Sequence, residues 1–187
     1  MKKTAVIFAQ GCEEGEALTI VDILRRAEIH CDILGLGSDT ITGTHGITMK
    51  ADGVVTGELC EYDMVVLPGG YGGTDAMKED VLLRQCLQEM AKSGKKIAAI
   101  CAAPQVLEAA ELLEGKQFTC YPGVKDTIQH GTWCDAPVVI DGDLITGQGP
   151  ALVYAFAYTI VDALDKDSDT VKKRMAYHRA FDTKEDA

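Results

Sequence analysis

The stretch Lys95–Glu108, KKIAAICAAPQVLE, decides the fold. Lys95 and Lys96 lead into Ile97, Ala98, Ala99 and Ile100. A short apolar run bounded by charge suits a strand buried on both faces of a parallel sheet. Cys101, two alanines, Pro104 and the helix-forming run Gln105–Ala110 follow, so the strand must become a helix within about two residues, with proline well placed in its first turn. A cysteine at that corner stands at the carboxyl end of a strand, where open α/β sheets place their chemistry. The adjoining helix terminus favours an anion, so the thiol is expected to ionise more readily than a free cysteine. Ala99, Ala102 and Ala103 are small enough for a nucleophile elbow. The competing reading is a buried cysteine acting as a small hydrophobe.

The chain has 187 residues, 47% hydrophobic and 25% charged, as expected of one globular domain spanning 1–187 with a core that needs no staples. Its formal charge of −11 argues against nucleic acid as the main partner. The seven cysteines form no CxxC pair and no zinc-finger spacing with the four histidines. That argues against a disulfide scaffold or structural zinc and for a reducing cytoplasm. In MKKTAVIFAQGCEEGE the apolar segment Ala5–Ala9 is too short for a signal-peptide core, and no run reaches membrane-spanning length.

Outward from the elbow, Thr4–Gln10 reads as a first buried strand. Gly11 and Cys12 turn the chain into a helix ending near Ala27, with Glu13, Glu14 and Glu16 at its start. Acidic residues there complement the helix dipole, which accounts for two of the three. The third is expected to face the crevice that receives Cys101. His30–Gly37 gives a second strand, Ser38–Thr56 a glycine-punctuated hairpin excursion, and Asp63–Leu67 a third strand. A helix over about 81–93 returns the chain to the Cys101 strand. Past the elbow, short strands are expected at Gln117–Tyr121, Thr132–Cys134, Val138–Asp141 and Leu144–Thr146, with a helical turn at Val124–Gln129. An apolar helix follows over Ala151–Leu164, then an amphipathic appendix from Asp167 to about Phe181. Alternation of strands and helices over the first 110 residues predicts a three-layer α/β/α sandwich with a mainly parallel sheet.

The cluster Pro68–Gly73, PGGYGG, follows the third strand. It has neither the Walker lysine nor GxGxxG spacing. Beside the elbow, Gly69 and Gly70, with the N–H of Ala102, are candidate oxyanion donors. A plain strand-to-helix turn is the alternative.

Taken together, AAICAAP at 98–104, PGGYGG at 68–73, GCEEGEA at 11–17 and GQGPA at 147–151 resemble the ThiJ/PfpI superfamily. The likeness is to the branch containing the Parkinson-disease-associated protein deglycase and its bacterial relatives, and runs from Lys3 to Leu164. The resemblance implies a flavodoxin-like sandwich with an appended carboxyl-terminal helix, a homodimer, and an elbow cysteine hydrogen-bonded to a protonated glutamate. Carried onto this chain, Cys101 is the nucleophile and Glu16 its partner, with Gly69, Gly70 and Ala102 as backbone donors. No metal or organic cofactor is implied.

The departures are informative. Ala102 stands where protease-like relatives have a histidine after the nucleophile, and neither His130 nor His178 begins the His-x-Glu pair of amidotransferases. Tyr121 stands where some close relatives carry a histidine. It either lines the pocket or packs in the core. His45 aligns with a basic residue that some relatives project across the dimer. Cys12 and Cys134 are either secondary redox sites or incidental thiols. The leading expectation is a cytoplasmic, cofactor-free enzyme acting on small reactive dicarbonyls or glycated protein. The alternative is a redox-responsive chaperone or stress sensor that binds unfolded clients, with a general hydrolase or amidotransferase-like protein third.

Overall fold

The computed structural model describes residues 2–180. In chain order its strands are β1 (Lys3–Phe8), β2 (His30–Gly35), β3 (Thr40–Thr42), β4 (Thr48–Lys50), β5 (Gly53–Val54), β6 (Met64–Leu67), β7 (Lys96–Ile100), β8 (Gln117–Phe118), β9 (Thr132–Trp133), β10 (Val138–Asp141) and β11 (Leu144–Gly147). The helices are α1 (Glu14–Arg26), α2 (Tyr71–Glu79), α3 (Val81–Lys92), α4 (Pro104–Ala109), α5 (Val153–Ala163) and α6 (Ser168–Arg174).

The main sheet runs β10-β11-β7-β6-β1-β2-β5, and every pairing in it is parallel except β10 with β11. The four residues of β6 and of β11 are all buried, as are five of six in β1 and four of five in β7. Strands covered on both faces need apolar side chains at successive positions, which explains why these segments do not alternate. The paths β1–α1–β2 and β6–α2–α3–β7 move along the sheet in opposite directions. Right-handed crossovers therefore place α1 on one face and α2 and α3 on the other. Helix contacts agree with this, since α1 packs on α5 while α2 packs on α3 and α4. The three-layer, flavodoxin-like sandwich is thus observed. The excursion is also observed, as β3 and β4 pair antiparallel in a separate two-stranded sheet.

Three sequence expectations are corrected. The PGGYGG segment is more than a loop, because Tyr71 opens α2 and Gly72 and Gly73 lie in its first turn. Glycine is a poor helix former, but here the helix passes so close to Gly11 and Cys12 that a Cβ at Gly73 would stand 2.8 Å from Cys12 Cα. The strand expected over Gln117–Tyr121 is only two residues long. The appendix is not one helix: α6 ends at Arg174, Ala176 takes a left-handed backbone (φ 54°), and a 3-10 turn follows at Tyr177–Ala180. Its expected last residue, Phe181, lies outside the described residues.

The arrangement sets the site. Because the chain leaves β1 toward β2 and returns through β6 on its other side, the carboxyl ends of β1, β6 and β7 lie side by side at the topological switch point. From the far layer, the Phe156 ring of α5 lies over the backbone of Gly147, and Gly147 O accepts the Cys101 N–H at 2.9 Å. Phe156 is fully buried. Phe156→Ala is expected to cost about 3–5 kcal/mol, the usual penalty for an aromatic cavity, read as a lowered midpoint in urea denaturation. A change under about 1 kcal/mol would contradict this packing.

Candidate active site

Cys101 follows β7 directly with φ 62°. A left-handed backbone is unusual for any residue with a Cβ, and such strain persists only where the surroundings enforce it. Here both sides of the residue are tied down: its N–H donates to Gly147 O at 2.9 Å, and its C=O accepts the Tyr121 N–H at 2.8 Å. The strand-to-helix corner thereby turns the sulfur toward a cavity of about 300 Å³. The cavity is lined by Glu13, Thr44, His45, Gly70, Tyr71, Cys101, Ala102, Tyr121 and Pro150.

Glu16, on the first turns of α1, is fully buried, and its Oε2 accepts the Gly69 N–H at 2.7 Å. Its Oε1 has no conventional hydrogen-bond partner among the described residues, and the polar side chain against the carboxyl is Cys101. Burial pushes Glu16 up to about 7, against the hydrogen bonds from Gly69 and Cys101. Cys101 is pushed up to about 12, first by burial and then by the charge of and hydrogen bond to Glu16, while the amides of Ala102 and Gly70 act in the opposite direction. A readily ionised thiol is therefore expected only while Glu16 keeps its proton. The helix end and amides are present, but an ionised Glu16 overrides them. Two of the three raising influences belong to the carboxylate and vanish when it takes up a proton.

The glycine roles also divide differently from the sequence reading. Gly69 is committed to Glu16 and is not a free oxyanion donor. A Cβ there would come within 2.6 Å of Cys101 Cβ and 2.8 Å of Glu16 Oε2, so glycine is what lets acid and thiol share this corner. Gly70, at φ 87°, is left-handed, and its amide and that of Ala102 are the pair directed at the sulfur.

The acidic cluster is not a cap either. Glu13 occupies the N-cap position of α1 without a side-chain capping bond. Glu14 is 2% exposed and reaches across to the hairpin. It accepts from His45 N (2.7 Å) and Ile47 N (3.3 Å) and lies 3.0 Å from His45 Nδ1. Burial opposes ionisation of Glu14, but these bonds and that from its own N–H outweigh it and hold it down at about 2. His45 is raised in turn, by the Glu14 hydrogen bond and by Glu13. The structure places His45 at its own chain's Cys101 pocket, 31 residues from Glu14 in sequence, a pairing that spacing cannot reveal. Tyr121 is 41% exposed at the pocket mouth, which excludes the core-packing alternative. Cys12 is fully buried and raised to about 11 by burial, as an inert thiol is. Glu13, Glu14 and His45 form the cluster among the described residues with metal-ligand proximity.

Comparison with known proteins identifies the family. The model of the DJ-1/PfpI family matches residues 2–163. The chain belongs to the DJ-1/PfpI family. It is 38% identical to Protein dj-1beta of Drosophila melanogaster over 167 residues, 87% of this chain and 89% of that one. The crystal structure of the Drosophila protein superposes with a TM-score of 0.90 at 37% identity, covering 94% of this chain and 98% of that chain. The Parkinson disease protein 7 homolog of Danio rerio is 34% identical over 87% of this chain and 89% of its own length. A protein named as a deglycase, from Pyrococcus horikoshii, is 37% identical over 67% of this chain and 76% of its own. No helix among the described residues is long and apolar enough to cross a membrane.

The buried acid carries a pH signature. Burial pushes the Glu16 carboxyl up to about 7 against the usual 4.5, so between those values the folded Glu16–Cys101 pair holds a proton that the unfolded chain has lost. Its stabilising contribution is complete below about pH 4.5, declines as pH rises and is gone above about 7, a loss on the order of 3 kcal/mol. The stability difference between wild type and Glu16→Gln, from urea midpoints at pH 5 and pH 8, is expected to shrink in that direction. A difference that does not change with pH would contradict the raised value.

Proposed function

We propose that the protein is a cysteine-dependent enzyme of the glyoxalase or deglycase type, acting on small reactive dicarbonyls or their early adducts on protein. The observation that carries this reading is the strained Cys101 elbow, opening on a small cavity with a buried carboxyl group behind the sulfur.

The pair shares protons, and its single-anion form is assigned to sulfur. Two amides, from Gly70 and Ala102, face the thiol, whereas one, from Gly69, faces the carboxyl. Glu16 is fully buried while Cys101 is 9% exposed at the cavity, so charge on sulfur is the less costly of the two. The thiolate then adds to the aldehyde carbon of a compound such as methylglyoxal, and the resulting alkoxide takes up a proton to give a hemithioacetal. Transfer of hydrogen from that carbon to the neighbouring carbonyl carbon, through an enediol, gives a thioester. Water releases the 2-hydroxy acid and restores the thiol. One carbon is oxidised as its neighbour is reduced, so the sequence balances without an external oxidant, and the reading calls for no cofactor. Glu16 supplies and recovers protons at the sulfur side. His45, held by Glu14, presents a positive charge that favours the developing oxyanions and the product carboxylate. A homodimer in the cytoplasm, as in the sequence reading, remains part of this proposal.

One observation favours a second reading, in which oxidation of Cys101 is itself the output and unfolded proteins are the clients. The buried Glu16 Oε1 lacks a conventional partner, and when protonated it is suited to hydrogen-bond an oxygen added to the sulfur.

The enzymatic reading is tested by conversion of methylglyoxal to lactate with purified wild type and Cys101→Ser, against buffer and free-thiol controls. A fall of about 100-fold or more in the variant is expected for loss of a nucleophile. Equal rates would remove the enzymatic claim.

A further inference from the structure

Two other cysteines meet away from the pocket. Cys60 sits in the 3-10 turn Gly57–Glu61, which packs on α3, and Cys86 lies on α3 itself. Cys86 Sγ reaches the turn that carries Cys60, and the side chains of Cys86 and Glu89 lie near enough to the Cys60 thiol to raise it. Glu89 stands three residues beyond Cys86 on the helix, a spacing that puts both on one face. Cys86 is 2% exposed, with its Sγ 3.9 Å from Gly57 O, whereas Cys60 is partly exposed. Lys95 Nζ donates to Cys60 O at 2.5 Å and fixes the turn against the sheet. One accessible sulfur, one buried sulfur and one carboxylate are thus assembled from two segments at a place the Cys101 chemistry does not use.

We propose that Cys60 and Cys86 form an oxidisable dithiol, converted by a hydroperoxide to an internal disulfide that ties the Gly57–Glu61 turn to α3. The accessible sulfur reacts first. Cys60 sulfur attacks one peroxide oxygen, the O–O bond breaks, and the thiol proton passes by way of Glu89 to the departing oxygen, leaving a sulfenic acid and an alcohol or water. Cys86 sulfur then attacks the sulfenic sulfur, forming the S–S bond and releasing water. Two thiols and one hydroperoxide give one disulfide, one alcohol or water, and one further water; the two electrons lost by sulfur are gained by the peroxide. Thiols on two packed segments this near one another need only side-chain rotation to close toward the bond length of about 2.05 Å. Burial, Cys86 and Glu89 push the Cys60 thiol up to about 12, which makes this a slow responder rather than a fast peroxidatic site.

The test is peptide mapping of the full-length wild-type protein after hydrogen peroxide treatment, alkylated without reduction. The expected product is a Cys60–Cys86 linked peptide pair, about 2 Da lighter than the two reduced peptides together, distinct from oxygen addition at Cys101. Cys86→Ser should instead trap Cys60 as a sulfenic acid that reacts with dimedone, and Cys60→Ser should leave Cys86 reduced. The oxidised wild type should also unfold several degrees higher than the reduced protein, as a loop-closing cross-link does. Recovery of both thiols alkylated after the treatment, or scrambled pairing among the cysteines, would overturn the proposal without bearing on Cys101 catalysis.

Discussion

The structure depends on one buried contact, the meeting of the Glu16 carboxyl with the Gly69 amide on one side and the Cys101 thiol on the other. A carboxyl group withdrawn from water is tolerated only where hydrogen bonds or a retained proton offset the loss of solvation. One amide and one thiol do not suffice to keep it ionised near neutrality, so it holds a proton to an unusually high pH. The three strand ends that converge at the switch point supply these three groups, one each. The sheet order is therefore what makes the chemistry available, and the all-apolar strands are what make the sheet.

Around this pair the remaining charges are separated by role. Glu14, two residues away on the same helix, also has little solvent-exposed surface, but it takes several hydrogen bonds and stays ionised, pinning His45 and the hairpin turn over the cavity. Two glutamates of one motif thus take opposite protonation states because Glu16 is the more deeply enclosed and Glu14 the better hydrogen-bonded. Strain at Cys101 is maintained from outside the elbow, by the Gly147 carbonyl and the Tyr121 amide.

Much of this was legible in the sequence because it is local. The apolar runs at 5–9, 64–67 and 97–100 announce buried strands, and Ile100-Cys101 followed by small residues and Pro104 announces the corner. Sequence alone misassigned Gly69, because its use depends on a carboxyl group 53 residues away. Nor is α2 legible as a helix, since helix propensity penalises the glycines that close contact with Gly11 and Cys12 requires. The acidic cluster invited a capping explanation that fits helix starts in general but not this one, where Glu14 is drawn off by a hairpin 31 residues distant. Of the cysteines, Cys12 and Cys134 stand out by position in the sequence, yet Cys60 and Cys86 are the two that the packing of a short turn on α3 brings near one another.

The central claim is that the first proton lost by the Cys101–Glu16 pair leaves sulfur. Thiolate absorbance near 240 nm, titrated in wild type with the Cys101→Ser signal subtracted, reads this directly. A midpoint below the free-cysteine value of about 8.5, shifted upward in Glu16→Leu, is the predicted result. If the thiolate instead appears only in strong alkali, the proton assignment is wrong and the elbow holds a protected thiol.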